Sequence, residues 1–116
     1  MKPFGALLRE HRRTAGYTLE AIAAHLDVSI PYMSDVERGN RPPLTPERIE
    51  VLSKFLCVDP EPLLAAAAES RGTFELDAKK SVVHRDVGAV LMRGWTDLTR
   101  DELERIGDIV RKRSNQ

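Results

Sequence analysis

The 116-residue chain carries 18 Lys and Arg against 18 Asp and Glu, for a formal net charge of zero, and is 41% hydrophobic but only 5% aromatic. That length makes one domain, or one domain with a small appendage, around an aliphatic core of Leu, Ile, Val and Ala. A single cysteine, Cys57, excludes an internal disulfide and any multi-cysteine metal site. No apolar run reaches the ~18 residues of a membrane span, and the N-terminus lacks a secretory pattern, so a cytoplasmic protein without a membrane partner is expected.

Taken in order, the first helix is predicted from about Pro3 to Ala15. Phe4, Leu7, Leu8 and His11 share one face, Arg9, Arg12 and Arg13 point elsewhere, and Gly16 closes it. Thr18 is an N-cap residue for a second helix, whose Ile22, Ala23 and Leu26 fall on one side. Asp27-Val28-Ser29 breaks the pattern, and Asp is one of the few non-glycine residues that tolerates a left-handed backbone. Ser29 is a second N-cap, followed by Pro31 in the first turn. Tyr32, Met33 and Val36 give the third helix its apolar side, and Gly39 ends it. A loop with Pro42-Pro43 follows. Thr45-Pro46 starts a fourth helix, expected to be largely buried through Ile49, Val51, Leu52, Phe55 and Leu56, with Cys57 a small buried hydrophobe at its end. Asp59-Pro60 repeats the start signal for a fifth helix that runs through the alanines to about Ser70.

Arg71-Gly72-Thr73 marks a boundary between residues 1–70 and 71–116. Thr73-Phe74-Glu75-Leu76 alternates polar and apolar, as a short strand or an extended link would. From about Ala78 the helical period returns, with Val83, Val87, Val90 and Leu91 on one side and Gly94 as the stop. Trp95 then reads as an interface anchor or a core plug. Thr99-Arg100-Asp101-Glu102 has capping-box spacing and opens a last helix with Leu103, Ile106, Ile109 and Val110 apolar. About 40 residues rarely supply a core of their own. These stripes must be covered by the fifth helix or by the same segment of a second chain.

The stretch Tyr17–Arg41, YTLEAIAAHLDVSIPYMSDVERGNR, is two short helices joined by a turn tight enough to cross them steeply. Its part V-S-I-P-Y-M-S-D-V-E-R-G is similar to the second-helix pattern of the lambda-repressor/Cro-like (XRE) helix-turn-helix family, and the resemblance extends from about Phe4 to Leu64. It implies an all-α fold: a five-helix DNA-binding domain, here with a short C-terminal helical extension, whose third helix enters the major groove. By position it implies that Ile30, Pro31 and Tyr32, with Ser34 and Asp35 one turn later, face base edges. Thr18 and Ser29 would approach phosphates through the helix starts, and Arg38, Asn40 and Arg41 would meet the backbone beyond the helix. Ile30 reads as a contact because the core stripe of its helix already runs through Met33 and Val36; the Tyr32 ring reads equally as packing on the second helix. The family's acid at Glu37 implies a pair with Arg12, of modest energy if exposed.

Two departures matter. Leu19 stands where the family commonly has Gln, and the base-reading positions lack Gln, Arg or Asn. Ile30 could only press on a thymine methyl and Asp35 only accept from a cytosine amine, which shifts specificity toward DNA shape or bridging water. The first 69 residues hold eight Lys and Arg against ten Asp and Glu, so a DNA-facing surface has to concentrate Lys2, Arg9, Arg13, Arg38 and Arg41 on one side. Repressors of this type bind as two-fold dimers, which assigns Val83, Val87, Val90, Leu91, Trp95, Leu103, Ile106 and Val110 to dimerisation. The expected function is a sequence-specific, dimeric transcriptional repressor bound to double-stranded DNA. The alternative is an antitoxin or other regulator whose C-terminal helices bind a different protein. His11, His25 and His84 are too scattered for a metal site, no cofactor is implied, and no nucleophile–base cluster or phosphate loop suggests an enzyme.

Overall fold

Ser and Thr side chains open five of the helices. Thr18 Oγ1 accepts from the Ala21 amide at 3.1 Å, Ser29 Oγ from Tyr32 at 3.1 Å, and Thr45 Oγ1 from Arg48 at 3.3 Å. Ser81 and Thr99 do the same for His84 and Glu102. Each bond satisfies one of the amides that a helix start leaves without an intrahelical partner. The computed structural model describes residues 2–114, whose regular elements are all helices, with no strand among them. The helices are α1 (Phe4–Thr14), α2 (Leu19–His25), α3 (Ile30–Glu37), α4 (Pro46–Leu56), α5 (Glu61–Arg71), α6 (Val82–Gly94), a 3-10 turn (Trp95–Asp97) and α7 (Arg100–Ser114).

Four of them end alike. After α1, α2, α3 and α4 the chain passes through a left-handed residue: Gly16 (φ 81°), Asp27 (φ 56°), Gly39 (φ 79°) and Cys57 (φ 56°). The amide of the next residue then reaches back five positions, Tyr17 to Arg12, Val28 to Ala23, Asn40 to Asp35 and Val58 to Ser53. This Schellman closure covers carbonyls that would otherwise be orphaned. Cys57 is therefore exposed rather than buried: the reversal that ends α4 swings it off the core.

The described residues divide between Phe74 and Glu75 into two compact units. In the first, α1 packs on α3 and α5, and α2 on α3. The core is aliphatic apart from Phe4, with Leu8, Ile22, Met33, Val36, Ile49, Leu52, Leu56 and Leu63 at its centre, and Leu44 sent in from the proline loop. α1 and α3 meet backbone to side. A methyl group built on Gly5 would lie 2.3 Å from the Glu37 carbonyl oxygen and 2.6 Å from that of Val36, so only glycine fits there. Across the same contact, Arg12 Nε donates to Glu37 Oε2 at 2.7 Å and Nη2 to Oε1 at 3.1 Å. Arg12 Nη1 donates to the Tyr17 carbonyl at 2.9 Å. With side chains only 11% and 4% exposed, this is a buried bidentate pair, not an exposed one. The hydrogen bond to Glu37 raises the Arg12 pKa above the ordinary guanidinium value, against the opposing effect of burial.

The structure departs from the sequence reading elsewhere too. Val51 is exposed; two positions past Ile49, it lies about 200° round a 3.6-residue helix from the buried stripe. Of the two readings open for Thr73–Leu76, a short strand or an extended link, the strand does not form, since no strand among the described residues offers a ladder, and Phe74 and Leu76 project into solvent. α6 starts only at Val82, where Ser81 can cap it. It ends at Gly94, as the sequence reading has it, although the φ of −98° there is open to any residue; a 3-10 turn follows, and the chain turns extended at Leu98. In this second unit Thr99 N donates to Glu102 Oε1 at 2.9 Å, and Glu102 N returns the bond to Thr99 Oγ1 at 3.2 Å, a reciprocal cap for α7. Val83, Val87, Val90, Trp95, Leu103 and Val110 are exposed, while Leu91 and Ile106 are half-buried.

Candidate nucleic-acid interface

The start of α3 is built to face outward. Ser29 caps it, Pro31 lies in its first turn, and its inner side, Met33 and Val36, is fully buried. That burial fixes the rotation of the helix and leaves Ile30, on the flank of the buried stripe at the first turn, and Pro31 in solvent, with Ile30 45% exposed. An isoleucine so placed has no core contact to justify it and offers an apolar surface at a helix start. Ser34 and Asp35, one turn on, are half-buried; Thr18, Ser29, Arg38, Asn40 and Arg41 are exposed. The Thr18 and Ser29 oxygens are occupied as acceptors by their own caps, leaving each hydroxyl free to donate.

At the other end of α3 the Asp35 carboxylate receives two guanidinium groups. Arg38 Nη2 donates to its Oδ1 at 2.6 Å, and Arg41 Nε lies 3.9 Å from its Oδ2. Arg41 also sits over the Tyr32 ring, its Cζ 5.2 Å from the centroid, and Arg48 from α4 reaches the same ring at 6.0 Å. Tyr32 therefore does both things open to it: its ring lies against the core and carries two cations on its outer side. Arg48 escaped the sequence reading. Nothing in its local spacing marks it, because the ring that recruits it is 16 positions earlier on another helix. Arg9 and Arg13 are exposed on α1, and Lys2 pairs with Glu10, so neither the apolar α3 start nor its cation cluster draws on them through any bond among the described residues.

A family model described as a helix-turn-helix domain matches residues 3–67, more than half of the chain and all of α1 to α4. The chain belongs to the lambda-repressor/Cro-like (XRE) type of helix-turn-helix transcriptional regulator. Over 67 residues, 58% of this chain, it is 39% identical to the uncharacterized HTH-type transcriptional regulator RghRB of Bacillus subtilis (strain 168). That match takes in 48% of RghRB, so the chain spans about half the length of this curated relative. Among solved structures, a SinR protein/SinI protein complex aligns over 97% of this chain and 99% of that one, with a TM-score of 0.49 and 22% identity. Within the matched stretch α3 is the second helix of the α2–α3 pair. No helix among the described residues is long and apolar enough to cross a membrane.

Proposed function

We propose that this regulator is a dimeric repressor that binds double-stranded DNA through α3. The observation that carries the reading is the outward start of α3: Ile30 and Pro31 exposed over a wholly buried Met33 and Val36. In a recognition helix those positions meet base edges, with Tyr32, Ser34 and Asp35 behind them, while Arg38, Asn40, Arg41 and the Thr18 and Ser29 hydroxyls meet phosphates. Ile30 supplies contact to thymine methyls rather than a hydrogen-bonded readout. The second unit supplies the dimer contact. Its support is the apolar set Val83, Val87, Val90, Leu91, Trp95, Leu103, Ile106 and Val110, largely uncovered in a single chain, and the charge pattern of α7. That helix has Asp101 and Glu102 in its first turn and Arg111, Lys112 and Arg113 in its last, so two copies set antiparallel by a two-fold axis place acid beside base.

The test is selection of bound duplexes from a random pool, with stoichiometry measured on the enriched site. A two-fold symmetric site occupied by two chains is expected. Arg41→Ala should weaken binding to all duplexes and make the salt dependence shallower by about one unit of slope. Failure to enrich any sequence would remove the DNA reading. Binding as a monomer would move the second unit from self-association to a different protein partner.

A further inference from the structure

Every cation at the C-terminal end of α3 is already engaged by the protein's own surface. Asp35 holds Arg38 at 2.6 Å and Arg41 at 3.9 Å, one on each carboxylate oxygen. The two arginine side chains are 61% and 52% exposed, whereas Asp35 is 32% exposed and lies beneath them. Arg41 and Arg48 also lie over Tyr32. A carboxylate between two guanidinium groups has the charge and the acceptor oxygens of a nucleic-acid phosphate.

We infer that Asp35 is a specificity-determining counterion: it stands in for phosphate between Arg38 and Arg41 and suppresses sequence-independent attachment. This rests on the DNA reading above and assigns Asp35 a role beyond accepting from a cytosine. Non-specific binding draws its free energy from cations that replace the condensed counterions of the duplex. An arginine that must first leave its own acid gains little by exchanging one anion for another. On a random duplex the cluster therefore acts with one net charge instead of two. On the correct site, where α3 seats fully and Ile30 makes its apolar contact, the carboxylate is turned toward the groove. There a cytosine N4 amine is the donor that compensates it, and the arginines are released to the flanking phosphates. Asp35 thus subtracts more from wrong sites than from right ones. It acts through the arginines as well as by direct contact, which makes it a positioning residue.

The experiment uses the full chain and Asp35→Asn, which keeps the side-chain shape and removes the charge; circular dichroism and a thermal melt verify that the variant is folded. Binding to a random-sequence duplex and to the site enriched by the wild type is measured from low to high salt. For the random duplex, one restored charge steepens the log–log salt slope by about 0.9, which amounts to roughly eightfold tighter binding at ~0.1 M salt relative to the 1 M reference. For the enriched site the gain is expected to be smaller or reversed, so the ratio of the two affinities falls. In an Arg38→Gln/Arg41→Gln background, Asp35→Asn should leave the random-duplex slope unchanged. Equal tightening on both duplexes, an unchanged slope, or the same effect without the arginines would each overturn the role of Asp35 while leaving the DNA reading intact. A wild type that binds no duplex and enriches none would instead overturn that reading, and this inference with it.

Discussion

Replacing Glu37 with alanine leaves the Arg12 guanidinium inside the first unit with one partner instead of three. Both hydrogen bonds to the carboxylate go, at 2.7 and 3.1 Å, and only the donation to the Tyr17 carbonyl remains. The Arg12 side chain is 11% exposed, so water cannot take the place of the lost acid. Stranding one member of a buried pair costs about 3–5 kcal/mol. A unit of this size is stable by roughly 4–11 kcal/mol in all, so Glu37→Ala should remove a large share of it. The double variant Arg12→Met/Glu37→Leu tests the cause rather than the contact. It removes both charges together with their desolvation, and should return to within about 2 kcal/mol of the wild type, the remainder being the unpaired Tyr17 carbonyl. Urea unfolding of the full chain, followed by far-UV circular dichroism, reads all three proteins. A single variant that loses less than ~1 kcal/mol would refute the reasoning, as would a double variant less stable than the single.

Gly5→Ala should destabilise by about 1–3 kcal/mol even though alanine is the better helix former, because the new methyl collides with two carbonyl oxygens of α3 that have nowhere to go; a raised melting temperature would show that the contact is loose. Cys57→Gly should stabilise by roughly 0.5–1 kcal/mol by relieving the left-handed φ of 56°, visible as a higher urea midpoint. The Thr99 amide holds the Glu102 carboxylate below its ordinary value of 4.5. That cap is therefore fully present above pH 4.5 and is lost as the pH falls through the lower folded value. Amide exchange at Thr99 and Glu102 should speed up over that acidic range and should be nearly pH-independent, after correction for intrinsic exchange, in Glu102→Gln.

What could be read from the letters alone was whatever a few adjacent residues decide among themselves. Thr18, Ser29 and Thr45 cap helices as expected because a hydroxyl before an apolar run competes only with its own next three amides. Asp27 adopts the left-handed turn that its short acceptor side chain tolerates. Cys57 takes up the same conformation with no such preference; the packing of α4 and α5 imposes it, and nothing at position 57 announces it. Gly94 is the converse case: α6 ends there as read, but with a backbone that needs no glycine. Leu44, in the proline loop before α4, lies in the core, since a proline-rich connection can carry an apolar side chain inward without any periodicity. At the α3 surface, the exposed side of Ile30 follows from the stripe through Met33 and Val36. The binding of Arg38 and Arg41 to Asp35, and of Arg48 to Tyr32, depends on rotamers and on the position of a neighbouring helix, which periodicity does not encode.

The glycine at position 5 ties the orientation of α3 to a helix that carries none of the groups assigned to base contact. Seated directly on that first helix, the carbonyl end of α3 inherits its pitch, and the arginine at position 12 pins the same junction about two turns further on. Drift in residues 4 to 12 can therefore retune what the neighbouring helix engages without altering a single letter of it, so relatives with matching surface residues need not share a target.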